Sequence, residues 1–305
     1  MKTVKTIRTA FGERAKRPER LERMLAELEQ QDIGALPYDQ RSKLLQHFTD
    51  AVYREAEEKR IFYWNPKTRF AHVYEPPFER EIRQIIRLLE SFRLSDYMSQ
   101  WAAGRAKELG GELEKIFPYK DVQRAWPGLS LAHKKVILED IVKLQCGIFR
   151  KGAIDFLPSP VRFQSGLAIA GFVEARSSYI YSLTIPPLNI YSRASFETAA
   201  KAAVHEQIHS MCMQLAIAAH LGQMPEAHPM AEDAKKLLSR HKYFAYGTAL
   251  IKSAYNADPE ENITHPAHEA FLAGYAKSAF ARAMDRIGLG KAYEKAKAVF
   301  IDLRL

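Results

Sequence analysis

From Phe196 to Leu221 the chain contains neither proline nor glycine, and alanine is its commonest residue. That composition predicts one long, close-packed α-helix. Ser195 is a good N-cap, and Thr198 stands where it can join the local hydrogen bonding. Val204, Ile208, Met211 and Leu215, continued by Ala218 and Ala219, form an apolar stripe at helical spacing, so the helix is expected to be buried. Inside it lies His205-Glu206-Gln207-Ile208-His209, an H-E-x-x-H pattern. Side chains four apart share a helix face, so both imidazoles can address a single metal ion. Glu206 falls about 100° round the helix from His205, close enough to hold a water on that ion without binding it. Two histidines on a buried helix need polar partners in any case. A metal is one way to supply them, and ordinary core hydrogen bonds are the other.

The 305 residues are enough for one large domain or two modest ones, and 47% hydrophobic with 27% charged residues is a globular composition. No run approaches the ~18 apolar residues of a membrane span. The first residues lack the apolar block of a secretory leader. Cys146 and Cys212 are the only cysteines, so no disulfide framework is expected. These features point to the cytoplasm, although delivery by a specialised secretion system would leave no mark of its own. The net charge of +9 is spread evenly: residues 1–127 hold 24 basic and 20 acidic side chains, and residues 128–305 hold 21 and 16. Neither half is a dedicated nucleic-acid module. The densest patch is residues 1–24, with eight basic and three acidic side chains. Such a segment can meet nucleic acid or an acidic partner, and is more commonly a solvated end.

Residues 18–60 read as two helices, the first with Leu21, Met24, Leu25 and Leu28 inward. An aromatic, proline-punctuated loop or hairpin follows over Ile61–Pro77, and its rings serve either as core or as a stacking surface for bases. Two more helices are expected over about 78–92 and 95–109, with Gly110-Gly111 closing the second. Pro118–Gly128 breaks the pattern and marks a boundary. Beyond it, Ser130 caps a helix, and three short strands are expected at Pro160–Ser165, Ala168–Ala175 and Tyr179–Ile185. The expected organisation is α+β and predominantly helical: a helical N-terminal domain of unknown role at 1–127, then a small mixed sheet with the H-E-x-x-H helix at 128–305.

That second half, over roughly residues 130–285, resembles a zincin metallopeptidase. The resemblance rests on His205-Glu206-Gln207-Ile208-His209, on Phe196-Glu197-Thr198 before it, and on the segment ending Ile185-Pro186-Pro187. It implies a Zn2+ cofactor, a protein or peptide substrate, and a third protein ligand. Metzincins would need glycine at Cys212 and histidine at Leu215, and aspzincins aspartate at Leu215, so both are excluded. His220 lies about 16 Å further along the helix than His209, too far to bind the same ion. Gluzincins take a glutamate from a later helix, and Glu269 is the leading candidate. Thr264 and Pro266 read as the start of a helix to about Ile287, which places Glu269 at one end of its apolar face. The competing role for Glu269 is to complement the helix dipole. The Ala/Gly-rich segment after it is similar to that of minimal gluzincins, with no subfamily selected. Glu226, Glu232, Glu260 and Glu261 are lesser candidates in expected connectors, and His265 and His268 are competing ligands.

By the same resemblance Glu206 is the general base and one side chain stabilises the oxyanion. Tyr255 is taken for that donor, ahead of Tyr246 and His265. The expected Tyr179–Ile185 strand offers an edge for an extended peptide. Two other readings stand beside the peptidase: a non-proteolytic zinc protein, and a nucleic-acid-associated or effector-type protein.

Overall fold

A computed structural model of the chain describes residues 19–58, 62–65, 70–73, 78–150, 154–165, 170–173, 177–243 and 257–275. Most of the basic patch, residues 1–18, falls outside them, as do Tyr246, Tyr255 and the end of the expected final helix. The architecture is α+β and predominantly helical, and none of the described helices is long and apolar enough to cross a membrane.

Leucines at three- and four-residue spacing drive the first helices together. Helix α1 (Glu19–Gln30) buries Leu21, Leu25 and Leu28 against Leu45, Phe48 and Val52 of α2 (Tyr38–Glu58). Strands β1 (Phe62–Asn65) and β2 (Phe70–Val73) form the aromatic hairpin, with Phe62 opposite Val73. Helix α3 (Glu79–Glu90) adds Ile82, Ile85, Leu88 and Leu89 to the same cluster, which ends at Phe92.

A second and larger core begins at Leu94. It takes in α4 (Asp96–Ile116), α5 (Tyr119–Ala125) and α6 (Leu131–Phe149). The apolar packing therefore divides near residue 93, and the break at Pro118–Gly128 is a helix junction inside one core. Tyr119 and Trp126, both within that junction, pack against Phe196, with ring centroids 5.8 and 5.2 Å away. The Trp126 indole donates to the Ala194 carbonyl at 3.0 Å.

Gly110-Gly111 does not close α4, which runs on to Ile116. The glycine serves a close approach instead. A Cβ at Gly110 would stand 2.4 Å from the Phe271 carbonyl oxygen, so no side chain fits where α4 meets the last described helix, α10 (Glu261–Tyr275). That pairing is the most extensive helix–helix contact among the described residues.

The sheet has the order β3–β5–β4, made of β3 (Val161–Gln164), β4 (Gly171–Val173) and β5 (Leu188–Tyr191). β3 runs parallel to β5, and β4 antiparallel to it with Val173 opposite Leu188. The expected strand at Tyr179–Ile185 is corrected. Residues Ser177–Ser182 form a helical turn, α7, and the third strand starts only after Pro186-Pro187. Of the β-formers there, Ile180 alone is fully buried, while Tyr181 and Leu183 face solvent, so strand propensity finds no sheet face to fill. The Ser182 hydroxyl donates back to the Ser178 carbonyl at 2.6 Å, and Leu183 adopts a left-handed φ of 54° where the turn ends.

Helix α8 (Phe196–His220) crosses this core buried on nearly every side, and α9 (Ala231–Tyr243) packs along it. The Ser195 hydroxyl caps α8, accepting from the Thr198 N–H at 3.2 Å. Its buried amides tie down a loop: Gln207 accepts from the Ser159 N–H and donates to the Leu157 carbonyl, and Gln214 bonds both Leu157 N–H and C=O. One variable position of the H-E-x-x-H pattern is thus structural.

Candidate metal centre

His205 and His209 project from one face of α8 with their Nε2 atoms 3.2 Å apart. Facing them is Glu261, the first residue of α10. One of its carboxylate oxygens is 3.3 Å from His205 Nε2 and the other 3.3 Å from His209 Nε2. These three donors all lie within 4.8 Å of one another. Glu206, beside them on α8, is itself buried and is opposed by the Val173 backbone N–H of β4. Gly171 lets β4 lie this close to α8, since a Cβ there would come within 3.3 Å of the Ala202 methyl.

Glu269 is not brought to this cluster. Its carboxylate is largely exposed and bonds the Lys201 ammonium at 2.5 Å, with His268 Nε2 at 3.2 Å from the same oxygen. The reason is where α10 begins. The helix already starts at Glu261, ahead of Thr264, and Pro266 sits inside it. Asp258 is the effective cap: its carbonyl accepts from the Asn262 N–H and its side chain from the Glu260 N–H at 3.0 Å. Asp258-Pro259-Glu260-Glu261 is in fact a strong start signal, with an N-cap aspartate, proline at the first helical position and glutamate at the third. A capping-box glutamate would reach back to the cap. Here Glu261 turns to the imidazoles and also accepts from the Thr264 hydroxyl at 3.1 Å.

A second layer holds the first, and the sequence reading left most of it out. His209 Nδ1 lies 2.9 Å from a Glu260 carboxylate oxygen. The other oxygen of Glu260 takes Arg240 Nη1, and His241 Nε2 lies 3.0 Å from it. Arg240 also pairs with Asp258. On the outer side, His205 Nδ1 lies 2.9 Å from His268 Nδ1, which continues the chain to Glu269 and Lys201. His265, one turn beyond Glu261 and about half exposed, places Nε2 3.3 Å from a Glu261 oxygen. His205, His265 and His268 form a second close group of donors. Of the lesser candidates, Glu232 accepts from the Tyr38 hydroxyl and Glu226 is exposed, so neither enters the cluster.

Among the described residues, the carboxylates of Glu206, Asp258, Glu260 and Glu261 share this buried space with the Arg240 guanidinium and the imidazoles of His209 and His241. Burial pushes the Glu206 carboxyl above its ordinary range, against the pull of His205 and His209. Burial opposes ionisation of Glu261 as well, yet His209 and His205 outweigh it and hold that carboxyl well below its usual value. His209 is the converse: burial disfavours its charged form, and Glu261 with Glu260 raises it well above the ordinary imidazole value. His268 is lowered to about 4 by burial and by the neighbouring His205 and Lys201. Two imidazole nitrogens and a carboxylate are donor types that could hold a metal ion such as zinc, with the Glu260 carboxylate behind His209.

Compared with protein-family models, curated proteins and solved structures, the chain matches none of them.

Proposed function

We propose that the chain is a zinc-dependent metallopeptidase of the gluzincin type, with His205, His209 and Glu261 holding the ion and Glu206 as general base. The observation that carries this reading is the single carboxylate facing both imidazole Nε2 atoms at 3.3 Å. Zinc bound by these residues would polarise the substrate carbonyl and lower the pKa of a water to around 7. Glu206 would accept that water's proton on its carboxylate and return it to the leaving amine. Its burial suits the task, because a carboxylate held above its ordinary pKa is a better proton acceptor. Among the described residues His265 is the donor best placed for the oxyanion, half exposed at the rim beside Glu261. β4 is the outer strand on this side of the sheet, so it takes over the peptide-pairing role expected of Tyr179–Ile185.

The test is metal analysis of wild type, His205→Ala, Glu261→Ala and Glu206→Gln, with hydrolysis of a peptide library alongside. Zinc should bind wild type and Glu206→Gln alone, and only wild type should cleave. Metal-replete wild type without zinc, or full cleavage by Glu206→Gln, would overturn the proposal.

A further inference from the structure

A buried ionic cluster stands behind the candidate metal donors. Arg240, Asp258, Glu260 and His241 are outside that donor group, and all four are buried. Charges in such a place are costly, and well-packed apolar residues would serve stability as well or better. Their geometry gives them a task. Glu260 has one oxygen on His209 Nδ1 at 2.9 Å and the other toward Arg240 and His241. Arg240 in turn bridges to Asp258, the residue that caps α10. One guanidinium on α9 thus joins the carboxylate that orients His209 to the cap that sets Glu261 in place.

Resting on the zinc assignment above, we propose that Glu260 is a positioning residue that fixes His209, and that Arg240 makes α9 part of the metal site at second hand. A carboxylate on Nδ1 keeps the proton on that nitrogen, so the Nε2 lone pair is free for the metal and the ring cannot turn over. Among the described residues, the His205 side has no such anchor. Its Nδ1 meets another imidazole, His268, whose own partner Glu269 is largely solvent-exposed. The two ligand histidines are therefore held unequally, and His209 is the fixed one.

The full-length protein is titrated with zinc against a chromophoric chelator as wild type, Glu260→Gln and Glu260→Asp. Nitrogen-15 NMR of the histidines in zinc-loaded wild type assigns the tautomers without any substitution. Glu260→Gln should weaken zinc binding about 10- to 100-fold, and Glu260→Asp should recover part of that loss. In the spectrum His209 should bind zinc through Nε2 and carry a slowly exchanging proton on Nδ1. Affinity within about twofold of wild type in folded Glu260→Gln would overturn the inference. If that variant does not fold, zinc on Nδ1 of His209 or a freely exchanging Nδ1 proton would do so alone. Wild type that binds no zinc fails the parent assignment instead, a distinct result.

Discussion

The two imidazoles that meet at Glu261 have opposite surroundings. Behind His209, Glu260, Arg240, Asp258 and His241 lie buried against one another. Behind His205 the chain of partners climbs outward through His268 to Glu269 and Lys201, whose side chains are 63% and 36% exposed. The inner side trades charge for geometry and must be complete. The outer side is screened by solvent and tolerates change. Equivalent positions in a sequence pattern are thus unequal in physical terms.

Substitutions can break this contrast or sharpen it. The largest difference is expected between the two glutamates of α10. Glu261→Ala should lose its zinc on dialysis, while Glu269→Ala retains it, as read by metal content. Retention by the first and loss by the second would reverse the assignment. Next comes Arg240→Met, which strands two carboxylates in the interior. It should lower stability by about 3–5 kcal/mol, measured from the shift of the denaturant midpoint. His268→Ala takes a partner from His205 that water can partly replace, so zinc affinity should fall by less than about tenfold in the same chelator titration. Smallest is Lys201→Ala, which breaks an exposed pair and should change stability by under about 1 kcal/mol in thermal or denaturant unfolding. A large loss at Lys201 would erase the distinction between the two sides.

Much of this centre was legible because its carriers obey local rules. The alanine-rich run with Ser195 before it reads as a helix, and a four-residue spacing puts His205 and His209 on one face whatever surrounds them. Glu261 was harder. Its start signal at Asp258-Pro259 was present, but Thr264 and Pro266 offered a rival one about two turns later. A shift of about two turns exchanged Glu261 for Glu269. Arg240 and Glu260 lie twenty residues apart in sequence and meet only through tertiary packing, so no spacing rule reveals them. Tyr179–Ile185 failed for a related reason. β-propensity describes side chains that want a half-buried face, and the fold supplies a pocket for Ile180 alone. Gly110-Gly111 looked like an ending because glycine commonly ends helices, whereas here it admits another backbone.

That admission has a mechanical consequence. A Cβ at Gly110 would come within 2.4 Å of the Phe271 oxygen, and one at Gly274 within 2.7 Å of the Lys107 oxygen. Two main chains keyed together at such range can neither roll nor slip past each other. Phe271 lies roughly 15 Å down the rod from Glu261 at ~1.5 Å per residue. The reach of the Glu261 carboxylate is consequently gauged at the far end of its helix, by a notch from which every side chain has been left out.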